Sequence, residues 1–143
     1  MLFRSTQEAL AGRANVLAGG EVFDAAHNIW KPTVLMNCNT SARVYCDEVF
    51  APIATLEFVE DFNTGISRLN ESRFGLQNAV FTNAVERVKQ AFKTIRSGSV
   101  LINTAPGFRM DHMPYGGIKA SGQGLEGIRY AMNSYTNERL LIW

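Results

Sequence analysis

The sequence predicts an α/β protein whose open, mostly parallel sheet is flanked by helices. Apolar stretches with strand character alternate with stretches of helical periodicity, most clearly over residues 78–102. Because a helix between two strands returns the chain to the same sheet, this alternation favours parallel strand pairing. The 143 residues, 46% of them hydrophobic, suffice for a substantial core, and neither a linker nor a repeat interrupts them.

The first third of the chain predicts one helix and two short strands. Residues 6–14 have the character of the end of a helix, and a strand is predicted over residues 15–18. A glycine pair closes that strand, and residues 21–31 are predicted to form a loop. Adjacent valine and leucine residues support a second strand over residues 32–36.

The middle of the chain predicts a strand over residues 53–59 and then a helix. Asn63 is expected to cap this helix, and Ile66 and Leu69 fall on one of its faces. Gly75, just beyond the last turn, is the expected stop signal.

The clearest helix lies between two short strands predicted over residues 78–81 and 100–102. Asn83 and Glu86 have the spacing of a capping box at its start, and Gly98 follows its end. Four apolar residues at helical spacing are predicted to form its buried face: Val85, Val88, Phe92 and Ile95.

A long loop is predicted over residues 103–121, followed by a last helix and an extended apolar tail over residues 139–143. The apolar residues of that helix are Leu125, Ile128, Met132 and Tyr135. A terminal apolar strand needs a neighbouring strand to satisfy its backbone, and a second subunit could supply it.

Composition and charge exclude several classes of function. The net charge is +1 and the 14 basic residues are scattered, so neither nucleic acid nor a membrane surface is an expected partner. No apolar run approaches the roughly 20 residues of a membrane span, and the N-terminus lacks the features of a secretory signal. Cys38 and Cys46 are too few for a disulfide scaffold, and His27 and His112 lack ligand spacing to them. We therefore predict a cytoplasmic protein without a metal site.

Residues 121–127 read SGQGLEG, in which Gly122, Gly124 and Gly127 match the G-x-G-x-x-G pattern of dinucleotide-binding sites. Such a site requires a strand immediately before the first glycine, but Pro114 and a glycine pair interrupt the preceding segment. It also requires an acidic residue about 20 positions later, which this sequence does not contain. We therefore predict a tight loop entering a helix rather than a Rossmann-type cofactor site.

An ordered series of short motifs runs through most of the chain. The motifs are Pro32–Leu35, Asp47–Pro52, Phe74–Leu76, Ala79–Thr82, Gly98–Asn103, Pro114–Gly122 and Glu126–Gly127. Together they resemble the C-terminal portion of the catalytic domain of the aldehyde dehydrogenase superfamily, from about Glu8 onwards. The resemblance implies a catalytic-domain portion over residues 1–134 and an oligomerisation strand over residues 135–143. Ala51 departs from the glycine that most members carry, and Tyr115 replaces a commoner phenylalanine.

The resemblance further implies that the chain is a fragment of a longer protein, with an upstream Rossmann domain for NAD or NADP. In the family reaction a cysteine thiolate attacks the aldehyde, hydride passes to NAD(P)+, and a glutamate-activated water hydrolyses the thioester. Neither Cys38 nor Cys46 lies in the family's nucleophile motif, so no catalytic residue is expected in this chain.

Glu48 and Phe50 stand in an E-x-F-x-P pattern that ends at Pro52. The resemblance implies that Glu48 accepts hydrogen bonds from the nicotinamide ribose and that Phe50 lies against the nicotinamide ring. A carboxylate suits the ribose because it offers two acceptors to two adjacent hydroxyl donors. The residues alone leave an alternative open, in which Glu48 is solvated and Phe50 belongs to the core.

Residues 104–113 match the family's aldehyde-entry loop in position, and such loops shape substrate choice. Phe108 is predicted to line an entry channel, while Arg109 and His112 attract an anionic tail of the aldehyde. The alternative is a mobile polar loop in which Asp111 neutralises Arg109. The HMPYGG segment suggests the branch of the family that acts on small hydroxy- or phosphono-aldehydes.

Residues 137–143 resemble the family's final oligomerisation strand, so a homo-oligomer is expected. The predicted function is that of an inactive fragment of an NAD(P)+-dependent aldehyde dehydrogenase. The alternative is a non-catalytic assembly module that oligomerises through its C-terminal strand.

Overall fold

A computed structural model describes residues 2–143, which divide into two compact units. The first unit ends at Val59 and the second spans Glu60–Trp143. Among the described residues, none of the helices is both long enough and apolar enough to cross a membrane. The boundary predicted between residues 134 and 135 stays a prediction.

The first unit contains two helices and five short strands. They are α1 (Leu2–Ala11), β1 (Asn15–Ala18), β2 (Val22–Asp24), β3 (Ile29–Trp30), β4 (Thr33–Met36), α2 (Arg43–Cys46) and β5 (Ile53–Leu56). Strands β1, β4 and β5 form a sheet in that order, with β4 parallel to β5 and antiparallel to β1. The strand predicted over residues 53–59 is therefore real but stops at Leu56.

The core of the first unit forms around Leu35 in β4, whose side chain is fully buried. Small residues of the surrounding elements pack on it, and Val44 of the single-turn helix α2 closes the cluster. The small residues are Ala9, Ala14 and Ala42. Alternation along β4 explains the choice of Leu35, since every second side chain of a strand points to the same face.

The prediction of a loop over residues 21–31 is wrong, because β2 and β3 pair there as an antiparallel hairpin. Asp24 organises the turn: its Oδ1 accepts the amide protons of Ala26 and His27 at 2.9 and 3.2 Å. Its Oδ2 lies 2.7 Å from Nδ1 of His27. The hydrogen bonds from His27 hold the pKa of the Asp24 carboxyl below its ordinary value.

The second unit contains three helices and four short strands. They are α3 (Phe62–Glu71), β6 (Phe74–Gly75), β7 (Gln77–Val80), α4 (Val85–Thr94), β8 (Ser99–Ile102), β9 (Ile118–Lys119) and α5 (Ile128–Ser134). Strands β7 and β8 pair in parallel across α4, and β6 pairs with β9 antiparallel. The α/β class, the open sheets and the parallel β7–α4–β8 unit are thus confirmed.

Both predicted helix caps are wrong. Helix α3 begins after Asp61 rather than Asn63, and Oδ1 of Asp61 accepts the amide proton of Thr64 at 2.8 Å. Helix α4 follows Ala84, and no side chain caps it, so the box predicted from Asn83 does not form. Its partner Glu86 instead lies 3.0 Å from Nζ of a lysine one turn along the helix.

The apolar face predicted for α4 is only partly buried. Ile95 and Ala91 pack into the core of the second unit, with Ile66 of α3 and Val80 of β7. Two of the four predicted residues, Val85 and Phe92, are instead 64% and 78% exposed. Periodicity identifies residues that share a side of a helix, but the neighbouring elements decide which part of that side is covered.

Candidate functional site

Glu48 and Phe50 project from the segment that joins α2 to β5. Val49 between them packs against the core cluster of the first unit. Val49 is partly buried whereas both of its neighbours are exposed, so Val49 faces the core and Glu48 and Phe50 face outward. Both are exposed, and Phe50 reaches 91%. Phe50 is therefore not a core residue of this unit, and the alternative that placed it there is wrong.

Backbone hydrogen bonds fix the Glu48–Phe50 segment at both ends. The amide of Asp47 donates to the carbonyl of Arg43 at 2.8 Å, which ties the segment to α2. The carbonyl of Pro52 accepts the amide proton of Thr33 at 2.8 Å, which ties it to β4. The two outward side chains thus stand on a braced piece of backbone.

The Glu48 carboxylate makes no hydrogen bond or ion pair within residues 2–143. Both of its oxygens are available to an external donor, and the neighbouring Phe50 offers a flat apolar face. The pair can therefore accept two adjacent hydroxyl groups and cover a planar ring, which fits a nicotinamide riboside. A cavity of about 270 Å³ elsewhere in the first unit, between Cys38, Tyr45 and Phe58, contains neither residue.

Neither cysteine has the surroundings of an activated nucleophile. Burial raises the pKa of the half-buried Cys38 thiol, which lowers its thiolate fraction. Cys46 is exposed, and its Sγ lies 3.9 Å from the carbonyl oxygen of Ser41. Within the described range, no three His, Cys, Asp or Glu side chains are grouped so as to hold a metal ion.

Residues 104–113 form a loop of the second unit that carries three half-exposed apolar side chains. These are Phe108, Met110 and Met113. Two tight turns shape the loop, with Phe108 N bonded to the carbonyl of Ala105 and Met113 N bonded to that of Met110. The amide nitrogen of the Gln77 side chain donates to the carbonyl of Phe108 at 2.9 Å, although nothing in the sequence singled out this glutamine.

Arg109 is held by two contacts that sequence reasoning did not assign. One of its guanidinium nitrogens lies 2.8 Å from Oε2 of Glu126, and the guanidinium stacks 4.5 Å from the centre of the Tyr115 ring. Its charge is thus paired with Glu126, and the alternative that gave this role to Asp111 is wrong. His112 is exposed and has no partner in the part of the chain that the structure describes.

The three glycines of the G-x-G-x-x-G stretch all adopt positive φ values: 120° at Gly122, 86° at Gly124 and 116° at Gly127. A two-residue strand, β9, does precede them, contrary to the prediction that residues 103–121 contain none. It pairs antiparallel with β6, whereas a dinucleotide motif requires a parallel β–α–β unit. The stretch therefore forms a turn that leads into α5.

The C-terminal tail is strongly apolar and uncovered. Within residues 2–143, nothing after Ser134 belongs to a helix or strand. Tyr135 is 91% exposed, and the four residues Leu140–Trp143 are each more than four-fifths exposed. The tail therefore has unpaired backbone groups and apolar side chains available to another chain.

Comparison with known proteins gives consistent matches. The sequence profile of the aldehyde dehydrogenase family matches residues 3–141. The 3-sulfolactaldehyde dehydrogenase of Priestia aryabhattai is 37% identical over 136 residues, which cover 95% of this chain and 28% of that protein. The chain thus spans less than a third of the length of this relative.

Solved structures agree. Aldehyde dehydrogenase 21 from Physcomitrella patens, crystallised with its reaction product succinate, matches with a TM-score of 0.87 and 32% sequence identity. The match covers 92% of this chain and 27% of the Physcomitrella chain. The glyceraldehyde-3-phosphate dehydrogenase of Methanocaldococcus jannaschii, complexed with NADP, matches with a TM-score of 0.87 and 30% sequence identity. This match covers 95% of this chain and 29% of the Methanocaldococcus chain.

Proposed function

Because the chain belongs to the aldehyde dehydrogenase family, we propose that it is the C-terminal part of an NAD(P)+-dependent enzyme that oxidises a small aldehyde to a carboxylic acid. The similarity to a 3-sulfolactaldehyde dehydrogenase supports a short, polar and anionic substrate. The similarity to a structure complexed with NADP supports a nicotinamide coenzyme.

The exposure of Glu48 beside Phe50 carries this proposal. A folded unit that worked alone would bury a phenylalanine, whereas Phe50 is 91% exposed next to an unpaired carboxylate. Glu48 would hold the two hydroxyls of the nicotinamide ribose, and Phe50 would limit the positions of the nicotinamide ring. When bound, NAD(P)+ supplies the hydride acceptor, and the nucleophilic cysteine belongs to the remainder of the enzyme.

The total accessible surface of the chain also supports a further polypeptide segment that covers part of it. Its accessible surface is 10980 Å². Two independent folded proteins with the lengths of the two units would together expose about 8,800 Å². The surplus of about 2,100 Å² is more than twice the area that one partner buries in a protein interface of standard size. Four further phenylalanines, more than two-thirds exposed, contribute to it: Phe23, Phe58, Phe81 and Phe92.

The loop over residues 104–113 would form the entry side of the aldehyde site. Phe108 would line the channel, and its exposure of 45% leaves one face of the ring for a substrate. His112 is the freer of the two predicted cationic groups, because Arg109 is already paired with Glu126. We therefore propose that His112 contacts the anionic tail, with Arg109 contributing mainly through the shape of the loop.

Absorbance at 340 nm tests the proposal directly. The purified chain, mixed with NAD+ or NADP+ and short aldehydes such as lactaldehyde, should form no reduced coenzyme. The longer protein that carries this sequence should form it rapidly and release the acid. Reduction of coenzyme by the isolated chain, or none by the longer protein with any short aldehyde, would contradict the proposal.

The exposed tail favours one second candidate, a non-catalytic assembly module that pairs through residues 135–143. An exposed apolar segment of this kind would add as a strand to a sheet of another copy. Light scattering of the chain with and without residues 135–143 tests this second candidate. An assembly that dissociates on truncation supports the module, whereas a monomer in both cases removes it.

A further inference from the structure

Gln77 connects the first strand of the parallel pair β7–β8 to the loop over residues 104–113. It is the first residue of β7, where it pairs with Ser99 of β8, so its backbone is fixed on a regular element. Its side-chain amide donates to the carbonyl of Phe108 at 2.9 Å. The strand thus holds the backbone at the residue whose ring is proposed to line the aldehyde channel.

Few other contacts restrain this half of the loop. Among the described residues, the bond from Gln77 is the one hydrogen bond that joins residues 104–108 to another element. The other bond of that segment, from Phe108 N to Ala105, lies within the loop itself. Gly107 at the tip has open space where a side chain would stand, so nothing packs closely against that side of the residue.

The second half of the loop is anchored elsewhere. Arg109 is held by Glu126 and Tyr115, and these two residues bond to each other through both of their amides, at 2.6 and 3.1 Å. The carbonyl of Asp111 accepts a longer bond of 3.4 Å from Ile128 N at the start of α5. Phe108 therefore lies between two anchors, with Gln77 on one side and the Arg109–Glu126 pair on the other.

We infer that Gln77 is a positioning residue that fixes the place of Phe108 and thereby tunes which aldehydes enter. The inference rests on the proposed function, because it takes residues 104–113 to be the substrate loop. A hydrogen-bond donor is required at this position, since a carbonyl oxygen can only accept a hydrogen bond. Gln77→Glu keeps the size of the side chain but replaces the donor with a carboxylate that repels the Phe108 carbonyl.

Trypsin cleavage after Arg109 tests the restraint on the chain as it exists. Loss of one exposed hydrogen bond should raise the population of the open loop, and with it the cleavage rate, by roughly two- to ten-fold in Gln77→Glu and Gln77→Ala. Gln90→Glu is the matched control. Gln90 lies in α4, far from the loop in sequence, and the substitution removes the side-chain amide that donates to Asn63. Equal cleavage rates in Gln77→Glu and Gln90→Glu would overturn the restraint.

Kinetics of the longer enzyme test whether Gln77 tunes the choice of aldehyde. Gln77→Glu should change KM for the aldehyde several-fold and alter the ranking of short and branched aldehydes. Its KM for the coenzyme should stay unchanged, as should every constant of Gln90→Glu. Faster cleavage with an unchanged aldehyde ranking would overturn the tuning alone. A longer protein that oxidises no aldehyde would overturn the proposed function and the tuning together, while the trypsin comparison would still decide the restraint.

Discussion

Leu35→Ala should destabilise the first unit more than the same truncation at Leu10, Leu17 or Leu56, each of which is at least 40% exposed. The Leu35 side chain is fully buried at the centre of the cluster that also receives Val49. Removing three buried carbons costs about 2.4 kcal/mol of transfer free energy, and the cavity left behind raises the total to about 3–5 kcal/mol. A unit of this length has a stability of about 3–9 kcal/mol, so the loss is a large fraction of the whole.

Urea unfolding measures this effect. Trp30 lies in the first unit and Trp143 in the second, so Trp30 fluorescence in a Trp143→Phe background follows the first unit alone. Leu140→Ala is the matched control: the same truncation at an 87% exposed position should cost less than about 0.5 kcal/mol. Leu35→Met should cost less than about 1.5 kcal/mol, and it keeps the comparison possible if Leu35→Ala does not fold. Equal midpoints for Leu35→Ala and Leu140→Ala would refute the assignment of the core.

Three further predictions concern single groups. The Thr64 amide lowers the pKa of the Asp61 carboxyl below its ordinary 3.8, so this cap stabilises the fold above that pH and is lost as the pH falls through the lowered value. Asp61→Asn still caps the helix but does not titrate, so its stability should fall less than that of wild type when the pH is lowered. Identical acid-unfolding curves would contradict this prediction. Gly98→Ala should unfold the second unit, because its Cβ would lie 1.7 Å from the Gly116 carbonyl oxygen. Gly107→Ala has open space for its Cβ and should melt like wild type. Equal melting temperatures for the two variants would rule out the close approach of Gly98 to Gly116. A thiol reagent at pH 7.5 should modify exposed Cys46 before Cys38, whose pKa burial raises; peptide mapping that finds Cys38 modified first would reverse this assignment.

Local sequence signals located most elements of the fold. The strand over Asn15–Ala18 was predicted with its observed bounds, because apolar residues ended by a glycine pair leave few alternatives. The hairpin of β2 and β3 was missed, although two apolar pairs flank its turn in VFDAAHNIW. Its turn depends on side-chain bonds from Asp24 rather than on a glycine, so the usual signal was absent.

The residues of the candidate site were predicted from a family motif rather than from local structural signals. The family motif pointed to Glu48 and Phe50, and the structure adds that both are exposed while Val49 between them packs against the core. The contacts of Gln77 with Phe108 and of Arg109 with Glu126 join residues far apart in the chain. No local pattern encodes such pairs, since they exist only once the strands and the loop have taken their places.

Coenzyme kinetics of Glu48→Gln in the longer enzyme test the central proposal most directly. The amide keeps one acceptor and loses the charge, so kcat/KM for the coenzyme should fall about ten-fold or more. Glu60→Gln, the same change at an exposed glutamate without a described partner, should leave it within about two-fold of wild type. If both variants reduce coenzyme as efficiently as the unaltered enzyme, Glu48 does not hold the nicotinamide ribose.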